Sequence, residues 1–314
     1  MTLKETLNSY GKDKEPFFFC ISYDLKDWEV HKLSQLPLDI QYSLNNQNQT
    51  TSKNKNQLNI KPINFEKYKN KFNTLQTQIE NGNTYLANLT SQTKLTTEYS
   101  LKDIYTIANA KFKLYFKDKF VCFSPERFIE CKNNKIYTYP MKGTIDASIK
   151  NAKDTILNNQ KELAEHTMIV DLLRNDLSIV SHDVKVDKFR YCETIDAGEK
   201  QLIQVSSQIS GKLEINWHEN IGDILTSLLP AGSITGAPKK KTVEVLESIE
   251  NYDRDFFTGI FGVFDGINLD SAVMIRYIEK NTSNNLIYKS GGGITSDSIA
   301  KEEYQEMIDK VYIP

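Results

Sequence analysis

Three groupings of side chains in this sequence have the types and spacing for chemistry. The first sets an acid beside an amine. The runs RFIECK (127–132) and KIYTYP (135–140) read as a hairpin turning at Asn133-Asn134. Continued past its end, that pairing puts Glu126 opposite Met141 or Lys142, according to the loop register. Cross-strand partners lie about 5 Å apart and diagonal ones about 7–8 Å apart, so the two groups meet at the end of a rigid element. Pro140 and Gly143 take Lys142 out of the regular ladder. Taken alone, the pair is better accounted for by a plain cross-strand salt bridge than by catalysis.

The second grouping is carboxylic. Glu162 and Glu165 lie three apart on one helical pattern, Glu303 and Glu306 three apart on another, so each pair shares a face. Glu165 also shares its stripe with Met168, Ile169 and Leu172. A carboxylate on an apolar face needs a partner, either a distant arginine (Arg174 or Arg276) or a hard cation held through oxygens and water. For Glu306 the ordinary alternative is an ion pair with Lys310, one turn on.

The third grouping is backbone chemistry suited to anions. Pro230–Lys239 (PAGSITGAPK) is a loop ending at a proline that suits the first turn of a helix, where free amides accept a carboxylate or phosphate. It lacks the Gly-Lys-Ser/Thr of a nucleotide-binding loop, so ATP is not implied. Ser290-Gly291-Gly292-Gly293 follows a strand and admits close approach of a ligand to the backbone. Arg276, read as mid-strand on the face of Ala272, Met274 and Ile278, wants a bidentate anion. Together these residues suggest a small anionic substrate, a divalent cation, and a lysine with an acid beside it.

The elements that must hold them can be read from periodicity. Residues 16–23 (PFFFCISY) form a buried strand, and Asn64–Glu80 an amphipathic helix stopped by Asn81-Gly82-Asn83. Residues 111–140 are short strands, 153–176 one helix, and the region to about 217 strand and loop. Helices follow near 218–229, 238–251 and 300–312. GIFGVF, SAVMIRYIE and NLIYKS read as a three-strand meander. Residues 43–57 are a polar low-complexity loop. Strands and helices in blocks indicate α+β rather than a doubly wound fold.

Composition narrows the class. The 314 residues carry a net charge of −2, without the concentrated basic patch that nucleic acid needs. No apolar run approaches the roughly 18 residues of a membrane span, and the N-terminus has no signal-peptide core. A cytoplasmic protein is expected. The four cysteines and four histidines are scattered, without the spacings of a disulfide framework or a zinc site.

At these same residues the sequence resembles the chorismate-utilising enzymes, which include anthranilate, isochorismate, salicylate and aminodeoxychorismate synthases. Seven strings match in order: FSPERF (123–128), YPMKGT (139–144), EHTMIVDLLRNDL (165–177), GSITGAPK (232–239), RDFFTGIFG (254–262), SGGGIT (290–295) and EEYQEMIDK (302–310). The resemblance implies an α+β fold: a large two-layered antiparallel β-sandwich with surrounding helices and a site between the layers. It implies a short N-terminal part (1–63) and a chorismate-binding region (64–314) in one structural domain.

Lysine at 142 is the mark of the aminodeoxychorismate synthase branch; the other branches usually carry alanine there. By that resemblance Lys142 attacks C2 of chorismate, and Glu126 protonates the departing C4 hydroxyl. An amine attacks only when neutral, so a depressed pKa is expected for Lys142 in the closed site. Glu165 and Glu306 correspond to Mg²⁺ ligands, with Glu162 and Glu303 behind them. Lys310, Arg276 and the amides of Gly291, Gly292 and Gly293 would hold carboxylates; Gly143, Thr144 and Phe257 would line the ring. A glutamine amidotransferase partner would supply ammonia. The alternatives are anthranilate synthase component I and a non-catalytic chorismate-binding subunit.

Three positions depart from the family pattern: Gln204 where a histidine is usual, Phe257 where a tyrosine or tryptophan is usual, and Leu86 where isochorismate synthases carry a water-activating lysine. The last argues against water as nucleophile. No tryptophan-binding motif is present and no fused lyase is expected.

Overall fold

The computed structural model describes residues 1–45, 58–196 and 201–314. Most of the expected polar loop at 43–57 lies outside the described residues. The chain opens with α1 (Leu3–Lys12), β1 (Phe17–Ile21), β2 (Trp28–Lys32) and β3 (Ile40–Leu44). There follow β4 (Asn59–Lys61), α2 (Phe65–Glu80), β5 (Leu86–Thr96) and α3 (Leu101–Ile107). Next come β6 (Phe112–Phe116), β7 (Phe120–Ser124), β8 (Arg127–Lys132), β9 (Lys135–Thr138) and β10 (Met141–Asp146). Helices α4 (Ala152–Asn158) and α5 (Gln160–Val180) lead to a long hairpin, β11 (His182–Asp196) and β12 (Gln201–Lys212). Then α6 (Ile221–Leu228), a 3-10 turn (Gly232–Ile234), β13 (Gly236–Ala237) and α7 (Lys239–Glu250) follow. The chain finishes with β14 (Ile260–Phe264), β15 (Leu269–Val273), β16 (Tyr277–Lys280), β17 (Leu286–Ile294) and α8 (Ala300–Asp309).

All described strand pairs are antiparallel and form two sheets. The first runs β10-β12-β9-β8-β15-β14-β1-β2, with β11 also on β12; the second runs β13-β5-β17-β16-β7-β6-β3, with β4 also on β5. The sheets pack face to face through Phe18, Cys20, Phe261 and Ala272 on one side and Phe112, Phe116, Phe120 and Tyr277 on the other. Helices α1, α5 and α6 cover the outer face of the first sheet through Leu7, Leu173, Leu177 and Leu225. Helices α2, α7 and α8 cover much of the outer face of the second. This is the expected α+β sandwich.

Strand β1 shows why the sequence folds this way. Phe17, Phe19 and Ile21 point to the helix side and Phe18 and Cys20 to the sheet side, so a run of five apolar residues is wholly buried. Each buried phenylalanine contributes about 1.5–3 kcal/mol relative to exposure.

Four sequence readings change. SAVMIRYIE is two strands in different sheets, β15 in the first and β16 in the second, so the three-strand meander does not form. Arg276 therefore lies at the crossover between sheets, with φ of +52°, and not in mid-strand. Alternation alone does not reveal that a continuous apolar run changes partners. The helix expected over 153–176 breaks at Asn159, whose side chain accepts the Glu162 amide at 3.1 Å and restarts the helix as α5. Helix α1, capped by Thr2 and Glu5 in reciprocal hydrogen bonds, was not anticipated. The region to 217 is largely the β11–β12 hairpin.

Candidate active site

Lys142 owes its position to a bulge. Met141 pairs with Ser206 of β12, but Thr144 pairs with Gln204, so an extra residue is accommodated at Lys142-Gly143. Gly143 holds φ at +93°, and a side chain there would begin 2.9 Å from Glu162 Oε2. The distortion aims Lys142 into a cavity of about 190 Å³ whose walls include β5, β17, α5, α8 and the Gly232–Ala237 loop.

The expected pairing of Glu126 with Lys142 does not form. The β8–β9 ladder ends with Glu130 opposite Tyr137, and β10 leaves to join β12. Lys142 Nζ instead lies 2.7 Å from Glu165 Oε2. Burial pushes this amine down, but Glu165, with Glu306 and Glu162 beyond it, outweighs burial and holds it above the ordinary lysine range. That is opposite to the depressed value expected for the nucleophile. Glu126 borders the same cavity, and its Oε1 accepts a 2.5 Å hydrogen bond from Ser233. Burial raises its pKa above the usual carboxylate range, against the pull of Ser233 and Lys310.

The four glutamates come from two helices flanking the cavity. Glu165 and Glu306 line it, whereas Glu162 and Glu303 do not. Glu306 pairs with Lys310 at 2.6 Å. Glu303 Oε2 and Glu306 Oε1 lie 3.3 and 3.8 Å from where a side chain on Gly292 would begin. Among the described residues, no three His, Cys, Asp or Glu side chains gather closely enough to hold a metal ion between them. One feature does suit a cation: Glu162 Oε2 is buried and has no hydrogen-bond partner. An all-oxygen donor set with one orphaned oxygen fits a hard cation that keeps part of its water.

The anion-binding candidates border the same cavity, next to Glu306. Strand β16 pairs with β17 only as far as Lys289, so beyond it one edge of Ser290–Ile294 is left without a β16 partner. Gly291, Gly292 and Gly293 border the cavity there, with Arg276, Lys310 and Phe257. Lys310 Nζ also donates to the Gly291 carbonyl at 2.9 Å. Gly143 and Thr144, expected to line the ring, do not border the cavity: Gly143 is turned toward Glu162 and Ile156, and Thr144 is exposed in the β10–β12 ladder. Gln204 faces that ladder too and does not border the cavity.

Sequence reasoning passed over two groups. Ser233, within GSITGAPK, is the side-chain hydrogen-bond partner of Glu126. His166 is fully buried, its Nε2 2.7 Å from Ser207 Oγ and its Nδ1 3.4 Å from the Lys142 carbonyl. Burial lowers its pKa, so a neutral ring braces the bulge that carries Lys142. Its place beside Glu165 in the sequence was the available signal.

Residues 9–313 match the family model described as chorismate binding enzyme. The chain therefore belongs to the chorismate-binding enzyme family. It is 45% identical to an uncharacterised PabA-like protein of Haemophilus influenzae, over 99% of this chain and 95% of that protein. It is 32% identical to aminodeoxychorismate synthase component 1 of Escherichia coli, over 78% of this chain and 56% of that protein. Among solved structures it resembles anthranilate synthase component I from Streptococcus pneumoniae, with a TM-score of 0.69 and 26% identity over 82% of this chain and 59% of that one. The isochorismate synthase MenF of Escherichia coli shares the fold, with a TM-score of 0.72 and 14% identity over 97% of this chain and 79% of that one. No described helix is long and apolar enough to cross a membrane.

Proposed function

We propose that this enzyme converts chorismate and ammonia to 4-amino-4-deoxychorismate in the cytoplasm, for 4-aminobenzoate and folate synthesis. The observation that carries the reading is Lys142, set on a bulge and aimed into the cavity that Glu126 also borders. The likeness to aminodeoxychorismate synthase component 1 of Escherichia coli supports it.

In this mechanism Lys142 leaves Glu165, gives a proton to solvent and attacks C2 of the ring as the neutral amine. Both conjugated ring double bonds shift by one position, and the C4 hydroxyl departs as water with the proton of Glu126. A carboxyl with a raised pKa is suited to that donation, since hydroxide leaves poorly. Ammonia then adds at C4 and passes a proton to the Glu126 carboxylate, both double bonds shift back, and the Lys142 amine leaves C2. Arg276, Lys310 and the free edge at Gly291–Gly293 orient the substrate carboxylates. Glu165 and Glu306 would hold Mg²⁺, with Glu162 and Glu303 behind them, and its charge would neutralise a substrate carboxylate facing the glutamates. A glutamine amidotransferase partner would deliver the ammonia.

The test is the product formed from chorismate, Mg²⁺ and ammonium chloride, read by mass spectrometry. Aminodeoxychorismate is expected, and Lys142→Ala should lose most of it. Anthranilate as product, or an alanine variant with unchanged rate, would refute the lysine mechanism.

A further inference from the structure

Glu126 is the acid of the proposed reaction, yet one of its oxygens is already occupied. Ser233 Oγ donates to Oε1 at 2.5 Å, and among the described residues Oε2 has no hydrogen-bond partner. A hydroxyl that donates to one carboxyl oxygen disfavours a proton on that oxygen and leaves the other to carry it.

The donor itself is clamped from both sides. Before it, Asp176 lies against the Gly232 amide and pairs with Lys239 at 3.0 Å. After it, the Ile234 carbonyl accepts from Arg254 Nη1 and from Asn88 Nδ2, both at 3.0 Å. Arg254 is in turn locked by two hydrogen bonds to the buried Glu250, at 2.7 and 2.8 Å. Three separate elements thus fix a three-residue turn whose one side chain facing the acid is Ser233.

We infer that Ser233 is a positioning residue for the proposed acid: its hydroxyl holds Glu126 in one rotamer and confines the transferable proton to Oε2. The inference rests on the proposed reaction and adds to it the orientation of the acid. Proton donors work only within hydrogen-bond reach of the leaving group, so a carboxyl free to turn would present its proton for part of the time.

The test compares Ser233→Ala and Ser233→Thr with wild type, following chorismate consumption with Mg²⁺ and ammonium chloride across pH. Removing the hydroxyl should lower kcat by about tenfold or more while KM stays within about twofold, since Arg276, Lys310 and Gly291–Gly293, which hold the substrate carboxylates in the proposed reaction, are unchanged. It should also move the alkaline limb of the kcat profile upward, because a donor that favours the carboxylate is gone. Lys310 is the cation that also acts on Glu126. Lys142, Glu165, Arg276, Lys289 and Glu306 share its cavity, and Arg127 and Asp176 border it from behind. All are unchanged in the variant, so a displaced limb reports the hydroxyl. Ser233→Thr, which keeps the donor, should restore both rate and limb.

An alanine variant with wild-type kcat and limb, or a threonine variant as impaired as alanine, would overturn the inference. Should alanine not fold, Ser233→Cys offers a weaker donor and should shift the limb the same way; a wild-type limb there would overturn it equally. A wild type that leaves chorismate intact defeats the proposed function itself, whereas an active wild type with an unaffected alanine variant defeats only the role of Ser233.

Discussion

Arg254 tests the energetic reasoning most directly. Its side chain and that of Glu250 are each 3% exposed. The guanidinium meets both carboxylate oxygens and also donates to the carbonyls of Ile234 and Asn88, at 3.0 and 2.7 Å. Arg254→Met keeps much of the volume but leaves the Glu250 carboxylate buried with only Thr90 as donor and Tyr252 close by. Removing one member of a buried pair costs about 3–5 kcal/mol, because the other charge is left uncompensated. An unfolding entropy of about 2.1 cal/mol/K per residue over 314 residues makes that roughly 5–8 °C of Tm. Scanning calorimetry of the single variant measures it. The double variant Arg254→Met/Glu250→Leu removes both charges and should recover part of the loss. A single variant melting within about 1 °C of wild type, or a double variant showing the sum of two large losses, would refute the assignment of this pair as an interdependent unit.

Three other outcomes are expected. Glu306→Gln should raise the Mg²⁺ concentration needed for half-maximal activity by about tenfold or more; unchanged metal dependence would remove Glu306 from the site. Glu126 acts while protonated and its pKa is raised by burial, so activity should persist above the ordinary carboxylate range and fall as pH rises through the raised value. Glu126→Gln should abolish that limb, and a persisting limb would assign it to another group. Gly143→Ala meets both a left-handed backbone and Glu162; it should lower stability by about 1–3 kcal/mol and kcat with it, as measured by denaturant unfolding and turnover.

Much of the fold was legible because its signals are local. The amphipathic spacing of Tyr68, Phe72, Leu75 and Ile79 marked α2, and the apolar run of β1 marked a strand buried on both faces. What sequence could not show was partner choice. SAVMIRYIE alternates well enough for one strand, and only its neighbours, β8 and β14 for the first half and β7 and β17 for the second, reveal two. The site divides in the same way. Lys142, Glu126, Glu165, Arg276 and Lys310 could be singled out by type and motif, and the structure brings them to one cavity. Which of them touch was not readable: the Lys142–Glu165 pair depends on a bulge in β10 and on the tertiary placement of α5. Ser233 was hidden for a related reason, since its partner lies 107 positions away in the chain.

The place of β1 in its sheet sets an order on synthesis. Its five residues are flanked by β2, which follows at once, and by β14, whose Phe264 pairs with Phe17. On a ribosome the strand therefore emerges early and waits for a neighbour made near the end. At about 5–20 residues per second that interval is on the order of 10–50 s. Throughout it, Phe17, Phe18 and Phe19 have no β14 to cover them, and an uncovered apolar strand edge is a template for association. Chaperone capture during translation should thus favour the nascent N-terminal segment, and yield should fall more steeply on truncation before β14 than the loss of a few residues would suggest.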